Sequence, residues 1–314
     1  TGVYMFTDAQ GEVLYVGKAS NLRSRVRSYF GTNESRTKVG SLLKLMQGIE
    51  FIQTPDLLTA EVLELRIIGR LRPRYNHAGT RTAKYCYVRL TTDEEWPRLM
   101  VSKTPSAKGL CIGPISTRNM ATEVVDAIES VIPLRRCTVR MGRNYVAPEG
   151  APVCSAARLG LAQCPCSGTA EPESYANAVQ QAADALTGKS SFVRDALTER
   201  MNAHSEAQRY EEAAYLRDRI QTFETVLRRQ EQAEKLCSQG KFTVSFDNIV
   251  YEVDNGVLAS TRNADQLFMP LSSLSKQVQE AIIPPAGVHD DHGVLRNDAM
   301  DEVLCIAKFL EAQK

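Results

Sequence analysis

At 314 residues, with 43% hydrophobic and 24% charged positions, the chain has the composition of a folded protein of about two domains, which excludes a disordered or collagen-like chain. No apolar run reaches the ~18 residues needed to cross a bilayer and no basic-then-apolar leader opens the sequence, so a cytoplasmic protein with no membrane partner is expected. The formal net charge of +1 conceals a division: residues 1–168 carry 23 Lys and Arg against 14 Asp and Glu, whereas 169–314 carry 15 against 23. A front half at +9 and a back half at −8 point to a polyanion-facing front with a different task behind it. The opening at Thr1, in strand-like sequence without an initiator Met, fits a piece cut from something longer.

Val3–Phe6 and Val13–Gly17 read as two strands around the polar turn Asp8-Ala9-Gln10-Gly11, the pattern of a hairpin. Asn21 is placed to cap a helix with Leu22, Val26 and Tyr29 on one face, leaving Arg23, Arg25 and Arg27 pointing away from it. Ala60, Leu63, Ile67 and Leu71 mark a second helix that stops at Arg72-Pro73, since the residue before proline is pushed out of the helical region. Residues 85–90 and 98–101 are short strand candidates around Trp96-Pro97, and Thr117 to Ile132 follows a 3.6-residue period.

The stretch 137–168, rich in Cys, Gly, Pro and Ala, is expected to be irregular. It holds Cys137, Cys154, Cys164 and Cys166, half of the eight cysteines; so few in a chain this long do not make a disulfide scaffold, and the cluster reads as metal or cluster ligands. Glu173 to Leu236 is helical in pattern, with a break near Gln208-Arg209 that suggests a helical hairpin, and Lys241 to Ala259 alternates like strands around Asn255-Gly256. His289-Asp290-Asp291-His292 invites a metal, but its Pro- and Gly-flanked, polar setting reads as a solvated loop.

Gly2-Val3-Tyr4 followed eleven residues later by Tyr15-Val16-Gly17, then Lys18 and Arg25, resembles the GIY-YIG nuclease signature. Lys18–Leu22, Ser28-Tyr29-Phe30, Glu64 on its helix, Leu71-Arg72-Pro73-Arg74-Tyr75-Asn76, Lys84-Tyr85 through Leu99, Gly113-Pro114 and Pro133–Cys137 extend the resemblance to the UvrC type. Arg209–Asp218 is similar to the UVR motif of that family. The resemblance runs over roughly residues 1–236 in order, and ordered blocks weigh far more than a lone tripeptide. The 78 residues after Leu236 are too few for the RNase H-type nuclease that follows the UVR hairpin in full UvrC proteins, so short UvrC homologues, or a UvrC-like module fused to an upstream DEDD-type exonuclease, are the nearest architectures.

The fold expected is α/β in the α+β sense. A small GIY-YIG sheet flanked by helices occupies about 1–100, a Cys-rich iron–sulfur region 101–168, a helical UVR-type hairpin 169–238, and a small terminal α/β unit 239–314. The resemblance implies a metal-dependent endonuclease that nicks double-stranded, damaged DNA in excision repair, with UvrB as a partner of the hairpin. It implies that Tyr4 takes the proton from water, Tyr15 and Lys18 orient the site, Arg25 clamps the phosphate, Asn76 positions nearby groups and Glu64 ligates one Mg²⁺ or Mn²⁺. A metal-bound water and several cations beside Tyr4 are expected to favour its phenolate. Each residue also has a plainer reading: sheet packing for the two tyrosines, a solvated helix cation for Arg25, a surface carboxylate paired to Arg66 or Lys44 for Glu64, and local backbone bonds for Asn76.

For the four cysteines the family implies a [4Fe–4S] cluster, with tetrahedral Zn and free thiols as the alternatives. Here the family's final Cys-x₃-Cys is replaced by Cys164-Pro165-Cys166, with Ala162 at the usual third ligand position. A function of another class, a DNA-binding adaptor that recruits UvrB with a silent nuclease site, is opposed by the intact set of candidate residues.

Overall fold

The computed structural model describes residues 1–31, 37–76, 85–263, 271–291 and 293–313. His292 and Lys84 therefore lie outside the described residues, and with them one end of the His289–His292 motif and of the Lys84-Tyr85 block. Helices and antiparallel sheets mix throughout, as an α+β fold requires. The chain forms two compact units, one of Thr1–Ala83, Gln232–Val288 and Arg296–Lys314, the other of Lys84–Glu231 and His289–Leu295.

In the first unit β1 (Gly2–Thr7) pairs antiparallel with β2 (Val13–Ala19) on one side and with β3 (Gly48–Gln53) on the other. The third strand was not expected, because Ile49, Phe51 and Ile52 give too short an apolar run to announce it. Helix α1 (Leu22–Ser28) begins where Asn21 accepts a hydrogen bond from the Ser24 amide, the cap expected from the sequence. After α2 (Thr37–Leu45), α3 (Leu57–Leu71) starts at an Asp56 cap and ends at Arg72, which turns left-handed ahead of Pro73. The sheet separates two apolar clusters by period-2 alternation. Val3, Met5 and Val16 pack with Ala60, Ile67 and Ile68 of α3, whereas Tyr4, Phe6 and Leu14 pack with Tyr29 and Leu42.

The second unit holds the sheet of β4 (Cys86–Leu90), β5 (Leu99–Ser102) and β6 (Leu110–Ile115), with β4 in the middle. It continues through α4 (Arg118–Glu129), a short α5 (Ser155–Arg158), α6 (Pro172–Leu186), α7 (Phe192–Glu206) and most of α8 (Tyr210–Ser238). The helical stretch is thus broken twice, after Gly188 in the left-handed region as well as at Gln208. One core joins Val88, Leu99, Ile128, Tyr175, Leu197 and Phe223 from the sheet and four of the helices.

The rest of the first unit is β7 (Lys241–Phe246), β8 (Ile249–Asp254) and β9 (Val257–Asn263), then α9 (Lys276–Ala281) and α10 (Asn297–Ala312). β8 and β9 meet at Asn255-Gly256, both at positive φ, as the sequence indicates. Among the described residues no helix is long and apolar enough to cross a membrane.

Candidate active site

The signature tripeptides are there for close packing. Tyr4 of β1 stands opposite Gly17 of β2, and a Cβ on Gly17 would come within 2.5 Å of the Tyr4 hydroxyl. Only a residue without a side chain leaves Tyr4 room to lie across the strand. At Gly2 a Cβ would meet the carbonyl oxygen of Ile52 at 2.1 Å, so glycine allows β1 and β3 to approach.

On the Tyr4 face, the rings of Tyr4, Tyr15 and Tyr29 form a triangle with centroids 6.0–6.2 Å apart. The hydroxyls of Tyr4 and Tyr29 share a hydrogen bond of 2.8 Å. Arg25 does not point away as expected: its Nε donates to the Tyr4 hydroxyl at 3.3 Å and its guanidinium lies over the Tyr29 ring at 5.3 Å. The helix explains this, since Arg25 is one turn from both Leu22 and Tyr29 on the flank of the packed face. All three arginines are exposed, and Arg25 differs from Arg23 and Arg27 in the contacts of its guanidinium with Tyr4 and Tyr29.

Burial dominates the three phenols. It raises Tyr4 above its ordinary value despite the Tyr29 and Arg25 hydrogen bonds, and pushes Tyr15 and Tyr29 up to about 12. Arg25 alone does not offset the removal of the Tyr4 phenol oxygen from water.

On the opposite face at the same strand end, the Glu64 carboxylate of α3 accepts from the Lys18 backbone amide at 3.2 Å and lies 3.5 Å from its ammonium. Lys18 also pairs with Glu61 at 3.0 Å. Burial raises the pKa of Glu64, and Lys18 works against that rise. The plainer pairings of Glu64 with Arg66 or Lys44 are not what the structure holds; Arg66 pairs with Glu302. The carboxylate is a hard oxygen donor, aimed by Lys18 and partly withdrawn from bulk water. It fits a divalent cation that keeps most of its own waters, with Glu61 available one turn away. Asn76 serves the backbone, but sixty residues away: its amide accepts from Val16 N–H and donates to Val16 C=O, both at 2.8 Å, closing the outer edge of β2.

The six candidates thus gather around residues 15–18 of β2. Tyr4, Tyr15 and Arg25 lie on one face, Lys18 and Glu64 on the other, and Asn76 at the edge between them. Two members escaped the sequence reading as site residues. Tyr29 was assigned to packing, although its place one turn after Arg25 was a signal. Glu61, one turn before Glu64, shares its helix face.

In the second unit the irregular cysteine stretch is held from beneath by Arg135, which is buried. Its guanidinium donates to Trp96 C=O at 2.6 Å, Val139 C=O at 2.7 Å, and the carbonyl and Sγ of Cys137 at 3.2 Å, and it pairs with Glu94. The sulfurs of Cys164 and Cys166 stand 3.0 Å apart. Burial opposes the thiolate at Cys164, but hydrogen bonds from Cys154, Cys166 and Ser167 outweigh it and bring the thiol down to about 6. Cys166 is pushed up to about 11, first by its bond to Cys164, then by burial and the nearby charges of Cys164, Cys137 and Cys154. The donor chemistry suits a thiophilic metal. Among the described residues, however, no three His, Cys, Asp or Glu side chains form a ready metal cage, and the 3.0 Å sulfur pair would have to part to serve two irons.

Comparison with known proteins agrees with this layout. Residues 1–77 match the UvrC-like GIY-YIG domain, 85–185 the middle domain of the UvrC/Cho excinuclease, and 193–226 the UvrB/uvrC motif. The chain is 35% identical to UvrABC system protein C of Syntrophus aciditrophicus over 230 residues, which is 73% of this chain and 36% of that protein. To the Clostridioides difficile protein of the same name it is 32% identical over 234 residues, 73% of this chain and 38% of the relative. It therefore spans little more than a third of the length of these relatives. The crystal structure of the GIY-YIG N-terminal endonuclease domain of UvrC from Thermotoga maritima, bound to its catalytic magnesium, is 36% identical. That match covers 24% of this chain and 81% of that one, with a TM-score of 0.22. With its three domain types in the order that the sequence resemblance implied, the chain belongs to the UvrC type of the GIY-YIG family.

Proposed function

We propose that the protein is a metal-dependent DNA endonuclease that makes a single-strand nick in excision repair. The observation that carries this reading is the Glu64 carboxylate held by Lys18 at the strand end where Arg25, Tyr4 and Tyr29 share a hydrogen-bonded cluster. Phosphodiester hydrolysis needs an acceptor for the proton of the attacking water, neutralisation of the crowded phosphorane and help for the leaving oxygen. In this reading Glu64 would hold one Mg²⁺ or Mn²⁺, which supplies charge neutralisation and acidifies water. Tyr4 would act as the phenolate, its own proton lost to solvent when the cation binds. The Arg25 Nε–H and the Tyr29 hydroxyl donate to that oxygen and hold it until it takes the proton from the attacking water. The free nitrogens of Arg25 face solvent and clamp the scissile phosphate. Lys18 orients the carboxylate, Tyr15 packs the aromatic triangle, and Asn76 fixes the β2 edge on which all of them depend.

By function the chain is divided into a nuclease over about 1–100, a Cys-rich region over 101–168, a UVR-type hairpin over 169–238 and a small terminal α/β unit over 239–314. The compact units cut it differently, with β4 and β5 in the second and most of the terminal part in the first. The four cysteines are assigned to a structural [4Fe–4S] cluster, or zinc, for which Cys164 and Cys166 separate on loading. The hairpin, where Tyr210 and Tyr215 are exposed, is assigned to a UvrB-like partner, and the setting to the cytoplasm. The deciding assay is nicking of a lesion-bearing duplex with Mg²⁺ or Mn²⁺, with and without UvrB. Wild-type nicking that Glu64→Gln abolishes supports the nuclease. Binding without nicking under every condition supports the adaptor instead.

A further inference from the structure

Beyond residue 226, where the matched UVR motif ends, the chain builds β7–β9, α9 and α10 within the same compact unit as the candidate site. This terminal part grips one face of α3. The Tyr251 hydroxyl donates to the Asp56 cap, and Thr59 meets Thr261 at 3.2 Å. Arg70 donates to the carbonyls of Glu280 at 2.6 Å and Ala281 at 2.9 Å. Positions 56, 59, 66 and 70 are spaced by three, seven and four, which puts them on one stripe of the helix.

The centre of the grip is Arg66. Its guanidinium forms a two-pronged pair with Glu302 of α10, at 2.6 and 2.9 Å, and donates to Leu258 C=O at 2.6 Å and Ile282 C=O at 3.0 Å. Glu302 completes the set by accepting from the Leu258 amide at 2.9 Å. Both side chains are buried, at 8% and 3% exposure, so the pair has one geometry and no water to replace a missing partner. Two residues before Arg66, and nearly half a turn of azimuth away, Glu64 faces Lys18. α10 packs against α3, and Cys305, one turn along α10 from Glu302, has its thiol pushed up to about 12 by burial and then by the charge of Glu61.

We propose that Glu302 is a positioning residue for the nuclease site, fixing through Arg66 the rotation of α3 and with it the aim of the Glu64 carboxylate. The inference rests on the nuclease reading of that site. A helix held on one side only by apolar contacts can slide and turn; polar forks at Arg66 and Arg70 give it a defined azimuth. Small displacements of a catalytic group are costly to rate.

The test uses the full chain. Glu302→Gln should keep its circular dichroism spectrum, lose roughly ten- to a hundredfold in kcat and leave KM for DNA within about twofold. In an electron paramagnetic resonance titration with Mn²⁺ alone it should bind the ion several-fold more weakly, and Glu302→Asp should recover part of both losses. Glu311→Ala, which breaks only the α10 contact with Gln232, should match wild type. A folded Glu302→Gln with wild-type kcat and Mn²⁺ affinity overturns the proposal. Should that variant fail to fold, the paired Arg66→Met, Glu302→Met variant replaces the ion pair by apolar packing; wild-type kcat and Mn²⁺ affinity in it overturn the proposal equally. If Glu64→Gln matches wild type in both measurements, the nuclease reading fails instead. The brace is then judged by amide exchange along α3, where undiminished protection in Glu302→Gln overturns it.

Discussion

The candidate active site and the cysteine stretch solve opposite problems. At the site Tyr4, Lys18 and Glu64 hang from two strands and a helix whose register is set by backbone hydrogen bonds, so they are placed before any ligand arrives. In residues 137–168 only a four-residue helix and a single short turn are regular, and Val139, Val146, Leu159 and Leu161 are exposed. That stretch has too little apolar content to order itself. It is anchored by Arg135 at one end and by thiol-to-thiol contact at the other. A preorganised site tolerates the loss of its metal as a fold; a loop gathered by thiols does not.

The sharpest way to test the first half of that comparison is Glu64→Gln. Because the helix and sheet hold the position, the variant should fold and bind DNA as wild type does while cleavage falls by roughly 10³-fold or more. Single-turnover nicking together with fluorescence anisotropy measures both, and unchanged turnover at saturating metal would remove Glu64 from the site.

Arg25→Ala comes next, with a loss of roughly 10²-fold in kcat and little change in affinity, since its guanidinium is already docked on Tyr4 and Tyr29. Arg23→Ala and Arg27→Ala should instead lower the salt dependence of binding by about one phosphate contact each. Three variants behaving alike would show that the cluster around Tyr4 confers nothing special on Arg25.

For the other half of the comparison, Cys164→Ser should harm the fold first and activity second. Lower soluble yield and loss of bound iron or zinc are expected, with site residues untouched. Anaerobic purification with metal analysis separates the cases: zinc without iron keeps the staple and discards the cluster, and a metal-free, fully soluble wild type discards both.

The smallest effect is one of pH. Glu129 of α4, whose backbone carbonyl holds Arg136 at the start of the cysteine stretch, is pushed up to about 7, chiefly by burial and against the pull of Arg136. Its native pKa lies above the unfolded value, so the native state retains a proton that the unfolded chain has released. Stability should therefore fall as pH rises from about 4.5 to about 7 and level off above, by something on the order of 1–3 kcal/mol. Glu129→Gln should flatten that window in thermal melts; an unchanged pH profile would show that Glu129 is ionised throughout.

Much of this was legible in the sequence because it depends on short-range physics. The β1–β2 hairpin, the Asn21 cap, the stop at Arg72-Pro73 and the hinge near Gln208 are dictated by residues within a few positions of one another. The ordered tripeptides marked the site, and the structure explains their glycines by the clearance that Tyr4 and Ile52 demand. What only the tertiary structure decided are contacts across long separations. The contact of the exposed Arg25 guanidinium with Tyr4 and Tyr29 needed the folded hairpin beneath it. The burial that raises all three phenols needed the whole aromatic cluster. The partner of Arg66 proved to be Glu302, 236 residues away, where local reasoning offered Glu64 at two. A carboxylate two positions along a helix points to the far side, and only a packed chain can bring the right one to the guanidinium.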